Sequence, residues 1–348
     1  MKIISWNVRG LGKSRTVGRL KQRLRDENHV IIFLIETKLS SEKMARVRSR
    51  LGFQNRIDVA AIGRSGGLSI GWKHSCLVNL QSFSARHIDV IIEDDSEGRK
   101  WRLTGFYGAP EEQYRADSWN LLRSLNQNNT LPWLVVGDFN EILLASEKQG
   151  GLVRSARQMD AFRNVLDDCA LDDLGYSGPW FTWEKGRTHA NNIRERLDRG
   201  VANSEWWDLF PDFQLKHLSH TFSDHCPLLI NTRGAQSSIK KTWHFRFEAS
   251  WVLEESCEEE VKRLWLNSGG EFLDRLRYTS SGLDAWFKKL RSEKRLTRKD
   301  LTEKLERLNN LIPTDDVLGD ILDTKIALNF EMDREELYWE QRARSNWL

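Results

Sequence analysis

Short apolar runs, separated by polar and charged stretches, set the elements expected over residues 1–230 of this chain. Lys2–Trp6, Val30–Ile35, Gly67–Trp72, Val90–Glu93, Trp101–Tyr107, Trp133–Gly137 and Cys226–Ile230 read as buried strands. Helical spacing fills several of the gaps. Arg15–Glu27 and Ser41–Leu51 follow the first two strands, Tyr114–Asn126 follows Tyr107, and Ser155–Cys169 follows the Asp138 region. The glycine pair Gly66-Gly67 marks a turn into a strand. Strands interleaved with helices predict layered α/β packing.

Farther along, the texture changes. Residues 234–241 are polar and Ser/Lys-rich, as a linker would be. Beyond them, Leu301, Leu305, Leu308 and Ile312 keep a helical stripe, as do Leu318, Leu322, Ile326 and Phe330. Pro313-Thr-Asp-Asp between the two stripes signals a turn and caps the second helix. The expected organisation is therefore an α/β domain over 1–233, a linker over 234–241 and a helical region over 242–348. The apolar stripes of that region read as packing.

Composition narrows the class. The chain has 348 residues, 39% hydrophobic and 30% charged, which suits a globular protein with one large domain and an appendage. Its four cysteines are far apart and match no CxxC spacing, so neither a zinc site nor a disulfide framework is expected. No apolar run is long enough to span a bilayer, and Asn7 and Arg9 interrupt the opening segment too early for a secretory signal. The expectation is a nuclear or cytoplasmic protein, neither secreted nor membrane-bound. Net charge is +3, yet seven basic residues and no acidic one lie between Arg9 and Arg25. Such a segment suits a polyanionic partner or a solvated helix face.

Six segments end the strands with polar residues that a buried strand does not select. They are Ser5-Trp6-Asn7, Leu34-Ile35-Glu36-Thr37, Gly105-Phe106-Tyr107, Val136-Gly137-Asp138-Phe139-Asn140, Arg196-Leu197-Asp198 and Ser223-Asp224-His225. In α/β sheets, strand ends are where ligands are usually met. Glu36 emerges from an aliphatic run, where its carboxylate calls for a hard cation or a salt bridge. Asp138 can accept a proton from water and Asn140 can orient that water or a phosphate oxygen, although the pair also suits an Asx-turn. His225, beside Asp224, can be held in one tautomer or kept protonated next to a phosphate. Asp198 is a candidate partner for that imidazole, and Arg196 and Arg199 offer charge to phosphate. With Tyr107 and Asn7 as donors, the set supplies what metal-assisted phosphodiester hydrolysis requires. No serine nucleophile elbow, glycine-rich phosphate loop or HExxH helix occurs in the sequence.

As an ordered set, SWNVRG, LIETKL, GFYGAP, GDFNEIL, ERLDR and SDHCPLLI resemble the endonuclease/exonuclease/phosphatase superfamily, which shares the deoxyribonuclease I-like fold. FTWEK at Trp183 and the Arg-rich Leu-Asp-Arg segment look like the endonuclease of plant LINE-type retrotransposons. The stretches Trp243-His-Phe-Arg-Phe-Glu and Tyr338–Leu348 resemble the segment joining such an endonuclease to a reverse transcriptase. This resemblance implies a four-layer α-β-β-α sandwich with a C-terminal helical appendage. It also implies Mg²⁺-dependent nicking of DNA that leaves a 3′-hydroxyl, with Mn²⁺ as an alternative metal and no small organic cofactor.

The resemblance further implies Glu36 as metal ligand with Asn7 beside it, and Asp138 and Asn140 at the attacking water and the phosphate. Tyr107 would stabilise the oxyanion, His225 would bind the scissile phosphate or act in proton transfer, oriented by Asp198, and Asp224 would lie near the metal. Arg9, Trp183 and Arg196 are the candidate substrate contacts, although the Phe-Thr-Trp alternation also suits a packed strand. A longer parent protein carrying a reverse transcriptase fits the tail. Two rival readings stay open: a phosphatase of phosphoinositides or other small phosphoesters, and a catalytically silent nucleic-acid-binding remnant.

Overall fold

The computed structural model describes residues 1–331 except 28–29, 54, 64, 74–75, 95–97, 128, 187–190, 219–222, 234–246, 248–250, 253, 310–315, 318, 325 and 328–329. The chain divides into two compact units after residue 243. The expected linker, 234–241, lies outside the described residues, as do the tail motifs apart from Phe247.

The first unit opens with β1 (Lys2–Asn7), α1 (Ser14–Glu27), β2 (Ile31–Ile35), α2 (Ser41–Leu51), β3 (Asn55–Val59) and β4 (Leu68–Trp72). There follow β5 (Cys76–Ser84), β6 (His87–Asp94), β7 (Arg99–Tyr107), α3 (Arg115–Asn126) and β8 (Trp133–Asp138). Next come β9 (Lys148–Gln149), α4 (Ala156–Asp168), β10 (Asp172–Asp173), β11 (Trp183–Lys185) and β12 (Ile193–Glu195). The unit closes with β13 (Asp198–Ala202), α5 (Ser204–Leu209), β14 (Gln214–His217) and β15 (Leu228–Asn231). One six-stranded sheet has the order β14-β15-β1-β2-β4-β3 and the other β10-β13-β8-β7-β6-β5, with a small sheet β11-β12-β9.

The two large sheets pack face to face. Ile3, Ile31, Phe33, Ile35, Leu68 and Ile70 of the first share a core with Ile88, Val90, Ile92, Leu103, Leu134 and Val136 of the second. The alternate residues Ile4, Trp6, Ile32 and Leu34 face the other way, against Val17, Leu20 and Leu24 of α1 and Met44 and Val47 of α2. Strands covered on both faces must be apolar at every position, which is why unbroken apolar runs identified them. Behind the second sheet, Trp119 of α3 stacks on Phe162 of α4 with centroids 4.8 Å apart. Phe162 in turn meets Phe139, which meets Phe106 of β7. Helices, sheet, sheet and helices make the four-layer α-β-β-α sandwich that was expected. Where the sheets approach most closely, a Cβ on Gly105 would lie 2.4 Å from the Phe33 ring, so only glycine fits.

Several strands escaped the sequence reading. β5 lies at a sheet edge, with Leu77, Leu80 and Phe83 exposed, so no solid apolar run marks it. β13 is buried throughout, yet begins Asp198-Arg199, because Arg199 is charge-paired inside the fold. Val90–Glu93 proves to be the middle of the longer strand β6.

The second unit is helical where described. α6 (Ser256–Leu266) and α7 (Phe272–Asn309) enclose Trp251, Cys257, Leu264 and Leu283, with Trp286 and Phe287 packed against them. Leu301, Leu305 and Leu308 lie on α7, and residues 316–317, 319–324, 326–327 and 330–331 are helical. The turn between the stripes lies outside the described residues. Leu322, Ile326 and Phe330 are each more than half exposed, and Leu318 of the same stripe lies outside the described residues. No described helix is long and apolar enough to cross a membrane.

Candidate active site

Strand register gathers the candidate residues at one end of the two sheets. β1 and β2 run parallel with Asn7 paired to Ile35, so Asn7 and Glu36 emerge side by side. β7 and β8 run parallel with Tyr107 paired to Asp138, and β13 runs antiparallel with Asp198 opposite the same Asp138. A bridge between Trp183 and His225 brings the remaining segment alongside. Two bonds fasten it to β1: Trp6 Nε1 donates to the His225 carbonyl at 2.9 Å, and Ser223 Oγ donates to the Asn7 carbonyl at 2.7 Å.

One amide ties the centre together. Asn7 Nδ2 donates to Asp138 Oδ2 at 2.9 Å and to Glu36 Oε1 at 3.2 Å. The Tyr107 hydroxyl donates to the same Glu36 oxygen at 3.0 Å. His225 Nδ1 lies 2.8 Å from Asp198 Oδ2, while its Nε2 lies 3.9 Å from Asp138 Oδ2. The backbone N–H of Asn140 donates to Asp138 Oδ1 at 2.9 Å, and Asn140 Nδ2 donates to the Gly108 carbonyl at 3.0 Å.

Backbone strain concentrates here. Among the described residues five non-glycine positions have positive φ, and four belong to this cluster: Arg9 (48°), Glu36 (53°), Lys38 (55°) and Asn140 (55°). Left-handed conformations of this kind persist where surrounding structure enforces them, and they gather at functional sites. Gly137 precedes Asp138 with φ 153°, and a Cβ there would lie 1.9 Å from the Phe106 carbonyl oxygen. A side chain at that position would push β8 away from β7 and carry Asp138 with it.

The electrostatics separate the acids. Burial pushes the Glu36 carboxyl up, but Lys38 and Asn7 outweigh it and hold the group below its ordinary range. Burial, followed by the neighbouring Asp198, raises Asp138. For His225, burial disfavours the charged ring, but Asp198 and Asp138 dominate and raise it to about 9. Tyr107 is raised by burial and by Glu36, so its proton stays on. Near neutral pH the cluster thus holds an ionised Glu36, an imidazolium and a carboxyl tuned upward toward neutrality.

Not every expected residue joins it. Arg196 is 1% exposed and occupied inside the fold, with Nη1 2.8 Å from Glu147 and Nη2 2.8 Å from Asp173. Arg199 completes that square from the other side, so the expected contact of Arg196 with substrate is corrected to an internal structural role. Arg-Leu-Asp-Arg looks the same in sequence whether its cations face phosphate or buried carboxylates. Trp183 is half-buried, packs against Ile142, Met159 and Leu197, and donates from Nε1 to Asp224 Oδ2 at 3.2 Å. Asn7 turns its nitrogen to the carboxylates, and its Oδ1 accepts from the Arg9 backbone at 3.2 Å, so in this geometry it bridges acids. Lys38, 2.9 Å from Glu36 Oε2, was not anticipated, although it stands two residues along the same motif.

The donor set suits a hard cation. Glu36 and Asp224 both place a carboxylate oxygen within ion-pair distance of the Arg9 guanidinium. Asp224 Oδ1 is buried without a hydrogen-bond partner, an anionic oxygen that a cation would satisfy. Asp138, Asp198 and His225 also bring ligand atoms within 4.8 Å of one another. A protonated imidazole offers no lone pair, however, so that trio favours proton handling.

Comparison with known proteins agrees with this architecture. The Endonuclease/Exonuclease/phosphatase family model matches residues 4–225. The AP endonuclease LMAP from Leishmania major is similar in structure, at 17% identity over 66% of this chain and 86% of that one, with a TM-score of 0.53. The catalytic domain of APE2 from Xenopus laevis gives 18% identity over 68% and 94% of the chains, with a TM-score of 0.51. A 3′-5′ exonuclease (NExo) from Neisseria meningitidis gives 18% identity over 67% and 100%, with a TM-score of 0.50. At these identities the likeness speaks for the fold alone. No curated protein sequence matches the chain.

Proposed function

This chain belongs to the endonuclease/exonuclease/phosphatase family, hydrolases of phosphodiester or phosphoester bonds, and from that premise we propose that it is a divalent-metal-dependent endonuclease that nicks DNA. The observation that carries the reading is the Asn7 amide held between Asp138 and Glu36, with His225 beyond Asp138. It groups an ionised acid, an upward-tuned acid and a cationic ring at one end of the two sheets.

In this reading Glu36 and Asp224 would hold Mg²⁺ or Mn²⁺, which supplies charge neutralisation at the phosphate and polarisation of its oxygens. Asp138 takes the proton of the attacking water, because a carboxyl raised toward neutrality is a better base than an ordinary one. His225 carries its positive charge to a non-bridging phosphate oxygen, and Asp198 fixes both ring orientation and charge. Tyr107 and Asn7 keep Glu36 in position by donating to its Oε1. Asn140 holds Asp138 through its backbone N–H, and its amide would contact phosphate with the hydrogen that the Gly108 carbonyl does not take.

DNA is favoured as substrate by the basic opening of the chain. Arg9 is at the site and half exposed, and exposed Lys13 precedes α1. The LINE-type motifs around Trp183 and Arg194–Arg199 support a retrotransposon origin, with nicking that leaves a 3′-hydroxyl as primer. The test is direct: the full chain is incubated with supercoiled plasmid and Mg²⁺, and in parallel with inositol phosphates. Open circles with extendable 3′ ends, abolished by EDTA, are expected. Phosphate release without nicking would establish the small-phosphoester reading, and DNA binding with neither would establish the silent remnant.

A further inference from the structure

The cation position at Glu36 and Asp224 already has a claimant within the chain. Arg9 Nη1 lies 3.3 Å from Asp224 Oδ2, and Arg9 Nε lies 3.8 Å from Glu36 Oε2. Lys38 touches Glu36 at 2.9 Å, and no salt bridge from it to Asp224 occurs among the described residues. Arg9 is the side chain that joins both acids. Its backbone is fixed in the conformation that aims it there. The Arg9 φ is 48°, Gly10 follows at 111°, and the Arg9 N–H donates to Asn7 Oδ1 at 3.2 Å. The Arg9 side chain is 46% exposed, so it has solvent to move into.

Two partly buried carboxylates that share one cation depend on it to offset their charges. A guanidinium and a divalent ion cannot both stand there, because at that separation they would repel more strongly still. We propose that Arg9 is a built-in competitor of the metal: it neutralises Glu36 and Asp224, and the divalent ion must displace it to bind. The inference rests on the metal reading of these two acids. Its cost to affinity and its benefit to the fold have one origin. Removing Arg9 should tighten metal binding while leaving the metal-free protein less stable, since Asp224 then loses the cation that it shares with Glu36 and Glu36 keeps only Lys38.

The experiment is titration calorimetry of the full chain with Mn²⁺ alone, on wild type, Arg9→Gln and Glu36→Gln, with thermal unfolding in EDTA and in Mn²⁺. Arg9→Gln is expected to bind Mn²⁺ at least about tenfold more tightly, as removal of one adjacent positive charge implies. Its melting temperature should fall in EDTA and rise more than that of wild type on adding Mn²⁺. Equal or weaker Mn²⁺ affinity in Arg9→Gln, with binding lost in Glu36→Gln, would overturn the competition while keeping the metal reading. Mn²⁺ affinity in Glu36→Gln equal to that of wild type would overturn both.

Discussion

His225 Nδ1 sits 2.8 Å from Asp198 Oδ2, and both groups are almost wholly buried. This pairing keeps a buried imidazole charged, since Asp198 stands first among the influences that raise it against the effect of burial. The ring should act as a cation up to about pH 9 and lose its charge above that. Nicking is therefore expected to decline on the alkaline side as His225 deprotonates. Asp198→Asn removes the raising charge and leaves burial to lower the ring, so the alkaline limb should move down by at least about one pH unit. A pH profile of kcat/KM checks this, and an unmoved limb would detach His225 from the reaction.

Asn7 has a role that only its amide can fill. Its Nδ2 donates to two carboxylates at once, so Asn7→Ala leaves Asp138 and Glu36 without a shared donor. Nicking should fall at least about a hundredfold, as should that of Asp138→Ala and His225→Ala, on the scale of lost electrostatic or acid–base groups. Plasmid nicking, with circular dichroism to verify folding, is the measurement.

Arg196→Leu should behave quite differently. The Glu147–Arg196–Asp173–Arg199 square is at most about 4% exposed at every member, and losing one cation leaves buried negative charge uncompensated. A stability loss of about 3–5 kcal/mol is expected in denaturant unfolding. Weakened DNA binding at unchanged stability would return Arg196 to the substrate surface.

His217 makes stability depend on pH. Its ring stacks on Tyr176 at 4.2 Å, Nδ1 lies 2.7 Å from the Pro179 carbonyl, and burial, with Arg196 nearby, lowers it from an ordinary 6.5 to about 3. Between those values the unfolded imidazole holds a proton that the folded one rejects. Stability is thus whole above about pH 6.5 and falls by about 1.4 kcal/mol per pH unit below it. His217→Gln, whose amide can still donate to Pro179, should flatten that slope. Asp173, held at about 2 by Arg196 and Arg199 against burial, acts lower, with its contribution lost as pH falls from 3.8 toward 2. Urea unfolding at pH 7, 5.5, 4.5 and 3 in both proteins separates the two windows.

Much of the first unit was legible because its inner strands are covered on both sides. Ile31–Ile35 has no polar position to hide it, and the polar residue that ends the run, Glu36, stands out against it. Edge strand β5, with alternate side chains in solvent, carries no comparable signal. Nor could charge reveal which arginines face outward: Arg9 and Arg196 are equally basic in the sequence, yet one is half exposed and the other is enclosed by Glu147 and Asp173.

Sequence pattern alone determined layered α/β packing and which side chains terminate the central strands, since burial on both faces dictates the composition of each run locally; the four-layer class came from the resemblance of the motif set to its family. Tertiary structure decided their partners. Parallel register between β1 and β2 and between β7 and β8 brings Asn7 to both Glu36 and Asp138 across separations of 29 and 131 residues. The first contact arises from strand pairing within one sheet and the second from the packing of one sheet on another, and local pattern carries no record of either.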